Sequence, residues 1–498
     1  MKLKWLIIGL VVFLYVGFRL WNLTATCLWF DEIFSVHAAQ HSWSELFSFV
    51  AQDLIHPPFF YIVLKIWISI GGESLLWLRL FPVVVSSAAL VPLILLCREA
   101  KFGTPETVIT IIFLAVNGSL IKYAQEVRMY SLLFCLALVS LWLFVRWLKR
   151  ENSSLIPIFI VNLLLIYTHY FGWLVVLTEI IVVLFVRKNT RKWLILSGLW
   201  VLSFLPWAYA VFTAYQQNAG LEQNLNWAQR PGLAALLQFV ATAHQPFYFQ
   251  QSSADPAISL LSIPVILVCI TAAVYLFFVE KDSEIELKVL SLFVLLPLTV
   301  AFLVSIVSPY SIWGTRHLLV IVAPYFLLVA AGLKRIRPEA LRLICCGILA
   351  VMIIPAFAVF IIRPQPLHSW CGWERLIDEV KPEDAQVVYV FEDAVAYDFW
   401  YASQTKTEGK LRVILLEDDP DIPEDKAYFL PRGFDGIQKA GEESISGDKF
   451  WIAVRNIWDN DQHPLWKRIK AKGYRLGPAL RLKTADAFVF LVPVQKEN

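Results

Sequence analysis

Residues 341–362, LRLICCGILAVMIIPAFAVFII, carry a single charged side chain, Arg342. About 20 consecutive apolar residues is the length at which a helix crosses a bilayer. In lipid such a run has little choice but to be helical, because every backbone N–H and C=O must find its partner inside the segment. Comparable runs recur at about 5–22, 74–97, 106–121, 131–147, 155–168, 172–186, 193–213, 258–279, 288–307 and 318–333. The chain therefore reads as a polytopic membrane protein, mainly α, with about 11 transmembrane helices. Its composition agrees: 58% of residues are hydrophobic and only 17% charged, against about 25% charged in soluble domains. The first run lacks a small-residue cleavage site and is read as a retained helix.

One apolar run is awkward. FFYIVLKIWISIGG, residues 59–72, follows His56-Pro57-Pro58 and contains Lys65. It is short for a span and suits a helix lying in the interface or re-entering it. Charge decides the matter. With eleven spans, the short loops on the N-terminal side hold 17 Lys and Arg and those on the opposite side hold 4. Cytoplasmic loops carry such an excess. A crossing at 59–72 would invert the bias. The expected topology has the N-terminus in the cytoplasm of a plasma (inner) membrane protein, interfacial helices in the first extracytoplasmic loop, and the C-terminal tail outside.

The tail turns soluble in composition. DAQVVYVF, LRVILLE, KFWIAV and DAFVFLVP read as strands, WERLIDEV and PLWKRIKAKG as helices between them. That alternation predicts a small α/β domain. The domains are taken as 1–363 (transmembrane) and 364–498 (extracytoplasmic α/β). No Gly-rich phosphate loop occurs. A net charge of +3, without a basic tract interleaved with aromatics, excludes a nucleic-acid partner. Five of the seven cysteines lie in apolar runs; Cys27 and Cys371 lie outside them, and nothing in the sequence pairs them.

On this topology the polar features gather on the outer face. Asp31 and Glu32 follow the first span; His56 precedes Pro-Pro; IKYAQEVRMYS supplies Tyr123, Glu126, Arg128 and Tyr130. YTHYFGW supplies His169 and Tyr170, and PYSIWGTRHL supplies Arg316 and His317. Ionisable residues at membrane depth are costly and usually functional. Each also has a plainer role open to it. Acids open helices, Glu126 and Arg128 suit a local ion pair, His56 suits a turn, His169 a satisfied core position, and Arg316 a headgroup anchor. The convergence is what argues for a site.

The order of these motifs, an Asp-Glu pair, His-Pro-Pro, RLFP, YAQEVRMYSLL and THYFGW, resembles the GT-C glycosyltransferases. Within them it is most similar to the group of protein O-mannosyltransferases and aminoarabinose transferases. The resemblance covers about residues 5–190. It implies a membrane enzyme using a sugar on a polyprenyl phosphate, with Asp31 as catalytic base, Glu32 assisting, and a lipid, glycan or protein hydroxyl as acceptor. It implies no certain cofactor, although members of the group differ in their need for a divalent metal. The protein mannosyltransferases' longer extracytoplasmic signature is missing. A polytopic transporter, or a flippase or ligase of lipid-linked glycans, is the alternative.

The chemistry gives the acids a purpose. A hydroxyl attacks well only when a base takes its proton, and cations stabilise the charge gathering on a departing phosphate. Arg128, Arg316, Lys65 and His56 are the candidates for that. The topology carries the first prediction: a reporter fused after residue 498 is active outside the cytoplasm, and activity inside contradicts the loop assignment.

Overall fold

The computed structural model describes the chain apart from residues 1, 151–152, 218–223, 225–227, 229, 248–255, 280–284, 363–365, 381–384, 418, 423–429, 458–462 and 498, and apart from the side chains of 2–5 and 256–259. The domain boundary expected at 363/364 lies outside the described residues. The helices run α1 (Lys2–Leu20), α2 (Phe30–Gln40), α3 (Trp43–Asp53), α4 (Phe59–Gly71), α5 (Leu75–Ala88), α6 (Leu90–Glu99), α7 (Thr104–Val116), α8 (Gly118–Gln125), α9 (Tyr130–Lys149) and α10 (Ile156–Thr168). They continue as α11 (Gly172–Val186), α12 (Thr190–Gln217), α13 (Leu233–His244), α14 (Pro256–Val274), α15 (Ile285–Val307), α16 (Val322–Arg335), α17 (Glu339–Ile362), α18 (Ser369–Asp378), α19 (Asp393–Thr407) and α20 (Pro464–Ala471). Every expected span falls on helix, but the one at 106–121 breaks at the extended Asn117, between α7 and α8. Among the described residues, seven helical segments are long and apolar enough to cross a membrane. The expected spans at 5–22, 106–121, 155–168 and 172–186 fall on shorter apolar helices. The chain is a multi-pass membrane protein.

The chain divides into two compact units: residues 1–23 with 46–364, and residues 24–45 with 365–498. In the first, α7 packs against both α1 and α16, and α9 against α6 and α10. Polar side chains inside this apolar bundle are satisfied by one another. Arg19 is fully buried; it donates to Ser86 Oγ at 2.9 Å, to the Tyr15 carbonyl at 2.8 Å and to the Leu114 carbonyl at 3.1 Å. Its fork thus ties α1 to α5 and α7. Glu179 is hydrogen-bonded to Ser140 Oγ at 2.6 Å and to Asn162 Nδ2 at 2.5 Å, joining α9, α10 and α11. An unpaired charge at such depth would cost several kcal/mol. At the basic end of the bundle, Arg150 pairs with Glu99 at 3.0 Å and Lys149 with Glu286 at 2.6 Å.

The second unit is α/β, as the tail's composition requires. Its strands are β1 (Val387–Val390), β2 (Arg412–Leu416), β3 (Gln438–Ala440), β4 (Lys449–Arg455), β5 (Tyr474–Leu476), β6 (Leu480–Lys483) and β7 (Phe488–Lys496). They form one sheet in the order β3-β2-β1-β4-β7-β5, with β6 also paired to β7. The first four strands are parallel; β7 runs antiparallel to β4, with Ile452 opposite Val492. A parallel strand is covered on both faces and reads as a continuous apolar run, which is why VVYV is legible as β1. One face packs Trp373, Leu376, Val388, Phe399 and Leu415; the other packs Tyr389, Ile452, Trp466 and Phe490.

The segment carrying the acid pair belongs to this second unit. Cys27 is disulfide-bonded to Cys371 in α18, with the two Cα atoms 5.5 Å apart. Beside it α2 packs on α19: Phe30 meets the Tyr397 ring edge-on at 5.5 Å, and His37 Nδ1 lies 2.9 Å from the Tyr397 hydroxyl. Burial, then the neighbouring His41, pushes His37 down to about 3, so it is neutral in this contact. A disulfide persists in an oxidising compartment and constrains the unfolded chain by typically 2–4 kcal/mol. Proteolysis without reductant should yield a peptide joining Cys27 to Cys371. Replacing both cysteines by serine should lower the second unit's stability by about 2–4 kcal/mol, seen as a lower melting temperature. An unchanged melt with both thiols free in the wild type contradicts the pairing.

Candidate functional site

The first unit brings together residues from four separated loops. The α3–α4 turn supplies Asp53 and His56. Leu54 there has φ 67°, the left-handed region that costs a non-glycine residue roughly 1–2 kcal/mol. That turn folds His56 back onto Asp53, with Nδ1 2.5 Å from Oδ2. The α8–α9 break supplies Arg128: Glu126 leaves the helix in an extended conformation, and the Arg128 N–H returns to the Glu126 carbonyl at 2.7 Å. Arg128 is buried, and its Nη2 lies 3.3 Å from His56 Nε2. Because Asp53 and a guanidinium can play only one part each, His56 donates from Nδ1 to the carboxylate and accepts at Nε2 from Arg128. Asp53, His56 and Arg128 form a directed chain.

The α10–α11 turn, THYFGW, supplies His169. Gly172 is needed there, because a Cβ at that position would stand 2.7 Å from the Leu165 carbonyl oxygen. His169 Nδ1 accepts the Phe171 N–H at 3.1 Å, which leaves the ring proton on Nε2. The fourth contribution is Arg316 and His317, at the start of the turn leading into α16. His317 Nδ1 lies 3.2 Å from the Ile312 carbonyl and donates to it. The imidazoles stand close: His56 and His169 at 5.9 Å between centroids, His169 and His317 at 5.1 Å. Tyr130 lies 6.1 Å from His169 and 6.4 Å from His317, and the Arg316 guanidinium sits over its ring at 5.9 Å. Tyr123 packs edge-on against Tyr130 at 4.9 Å. Burial first, then the neighbouring His317, His56, Arg316 and Arg128, hold His169 well below the usual histidine range. The cluster thus holds two guanidiniums and three histidines, a setting suited to an anion with several oxygens.

The remaining expected residues divide. Glu126 faces Lys122 at 3.7 Å, one turn back on its own helix, a weak pair by geometry. Tyr170 reaches the Leu54 carbonyl at 3.4 Å and accepts from Trp207 at the same distance, so it braces the cluster's loops. Lys65 lies half-buried midway along α4. Asp31 and Glu32 form the first turn of α2 in the second unit. Glu32 is fully buried, and its carboxylate accepts the Trp29 N–H at 3.2 Å, closing the helix start. The helix-opening role weighed for the pair therefore describes Glu32, while Asp31 is half-buried beside it. Among the described residues no three His, Cys, Asp or Glu converge as a metal-ligand group.

Sequence reasoning missed Asp53, although its signal was present: DLIH places an acid three residues before the histidine. It also missed the Cys27–Cys371 link and the His37–Tyr397 contact, which join positions more than three hundred residues apart.

Apolar helices long enough to cross a membrane, an arginine–histidine cluster drawn from four loops, and an α/β unit together define a polytopic membrane protein. Two solved structures of ArnT from Cupriavidus metallidurans, one in the apo state and one bound to undecaprenyl phosphate, share the fold with TM-scores of 0.60 and 0.58. They are 12% and 10% identical to this chain, and in each case 98% of this chain and 97% of the other is covered. The oligosaccharyltransferase of Archaeoglobus fulgidus, in complex with Zn and sulfate, aligns with a TM-score of 0.51 at 12% identity, covering 97% of this chain and 72% of that one. No family model and no curated protein matches the chain. The fold is the one that the motif order led us to expect.

The Asp53–His56–Arg128 chain can be tested alone. A hydrogen bond to a charged group contributes about 1.5–3 kcal/mol. Asp53→Asn should destabilise the detergent-solubilised protein by that amount in thermal unfolding; an unchanged melt shows that the contact is not held in solution.

Proposed function

We propose that this protein is a glycosyltransferase that moves a sugar from a polyprenyl-phosphate donor to a hydroxyl of a lipid, glycan or protein acceptor on the extracytoplasmic face of the membrane. The observation that carries the reading is the convergence of Arg128, Arg316, His56, His169 and His317 from four loops of one helical unit. The ArnT structure with undecaprenyl phosphate supports the same reading at the level of fold. The outward orientation of the second unit is supported by its disulfide and by the loop charges.

In this reading the isoprenoid tail lies in the bilayer and its phosphate sits among the arginines. The acceptor hydroxyl attacks the sugar's anomeric carbon. The bond from that carbon to the phosphate oxygen breaks, the hydroxyl proton passes to a carboxylate base, the role that the motif resemblance gives to Asp31, and polyprenyl phosphate leaves. The guanidiniums stabilise the charge developing on the leaving phosphate, and their hydrogen bonds to it strengthen as that charge grows. His56 keeps Arg128 oriented. Glu32, by closing α2, positions Asp31 and is a positioning residue.

Purified protein should release free polyprenyl phosphate from a panel of radiolabelled polyprenyl-phosphate sugars only when a competent acceptor is present. Asp31→Asn should retain the fold and donor binding but lose transfer by at least the factor of 10²–10⁴ typical of general-base catalysis. Near-normal turnover in that variant removes Asp31 from the mechanism. Movement of labelled lipid across a proteoliposome bilayer without any transfer points to a flippase instead.

A further inference from the structure

Three helices that carry the cluster's loops meet again deeper in the bundle. Helix α9 begins at Tyr130, just after Arg128; α10 ends at Thr168, beside His169; α11 begins at Gly172. Ser140, Asn162 and Glu179 lie about two to three turns in from those ends. At 1.5 Å per residue, that is about 10–15 Å from the cluster, at bilayer depth. All three are fully buried. Ser140 Oγ lies 2.6 Å from Asn162 Oδ1 and 2.6 Å from Glu179 Oε1, and Asn162 Nδ2 lies 2.5 Å from Glu179 Oε2. The contacts close a ring, and three contacts need three hydrogens. The Ser140 hydroxyl has one. Whichever way its amide is turned, Asn162 faces the ring with a nitrogen, which donates, and an oxygen, which does not. A carboxylate has no hydrogen to give, so the third must come from a carboxylic acid at Glu179.

We propose that Glu179 is a neutral carboxylic acid, and that its ring with Ser140 and Asn162 fixes the register of α9, α10 and α11 that sets Tyr130 against His169. The plainer explanation is an ionised Glu179 sharing a single serine hydrogen with the Asn162 oxygen. That arrangement leaves one close oxygen–oxygen contact without a hydrogen of its own. It also leaves an anion at bilayer depth with no cation in ion-pair range among the described residues, which is costly. Glu179 touches neither donor nor acceptor and is a positioning residue. Its protonation does not depend on the reaction proposed above; its effect on the cluster rests on that reading, in which the cluster holds the donor phosphate.

Infrared difference spectra and polyprenyl phosphate binding, both on the detergent-solubilised protein at neutral pH, test the two parts separately. Wild type minus Glu179→Gln should show the C=O stretch of a protonated carboxyl. Carboxylate bands in its place overturn the proposal. Gln has a donor and an acceptor where the acid has them, so Glu179→Gln should bind polyprenyl phosphate as wild type does. Glu179→Met, which closes no ring, should bind it roughly fivefold weaker, the effect of about one hydrogen bond. Circular dichroism and gel filtration establish that each variant is folded; where one is not, Ser140→Ala takes its place, and should shift the carboxyl band and weaken binding. Unchanged binding in a folded ring-breaking variant overturns the positioning role. Absence of binding by wild type would contradict the reading of the cluster, and the infrared band would still decide the state of Glu179.

Discussion

A guanidinium cannot shed its charge to enter a low-dielectric setting, and Arg128 is only 3% exposed. The loops around it are arranged accordingly. His56 accepts from it, Asp53 fixes the tautomer of His56, and the strained turn at Leu54 brings those two residues together. Tyr170 closes back on the same turn through the Leu54 carbonyl. Once Arg128 is held, the packing of Tyr130, His169 and His317 collects a second guanidinium, Arg316, over the Tyr130 ring. The same rule governs the interior of the bundle, where Arg19 and Glu179 satisfy their bonding across three helices each.

The second unit solves a different problem. An acid pair needs a fixed helix start, and α2 is too short at eleven residues to be stable alone. It gains its order from outside itself: Cys27 is bonded to α18, and Phe30 and His37 pack on Tyr397 of α19. The α/β unit therefore acts as the frame on which the segment carrying Asp31 is built. Its sheet is a stable base for this, since β1 and β4 are central and covered on both faces.

Much of this was legible in the residues. Spanning runs are dictated by bilayer thickness, so the expected spans fall on helices, except that 106–121 is broken at Asn117, whose side chain caps α8 by accepting the Leu120 N–H. The parallel strands β1, β2 and β4 are apolar runs and were equally visible. The helix α19, DAVAYDFWYASQTKT, was not, because aromatic and polar residues alternate without a clear helical stripe. The short strands β3, β5 and β6 are three or four residues long and exist only through their neighbours. His56, Arg128, His169 and His317 could be read as candidates by their place at helix ends. Their mutual distances could not, nor could the division of labour in the acid pair: Glu32 closes the cap, and that depends on the Trp29 backbone lying 3.2 Å away. The disulfide was hidden because pairing over 344 positions leaves no local trace.

The central claim is that the arginine–histidine cluster is a grip for a lipid-borne phosphate. The most direct measurement compares binding of a polyprenyl phosphate with that of the matching polyprenol, which has the same tail and no phosphate. Two or more charge-assisted bonds, each contributing about 1.5–3 kcal/mol, should make the phosphate bind at least a hundredfold tighter. Equal affinity for the two lipids would mean that only the tail is recognised, and would contradict the account.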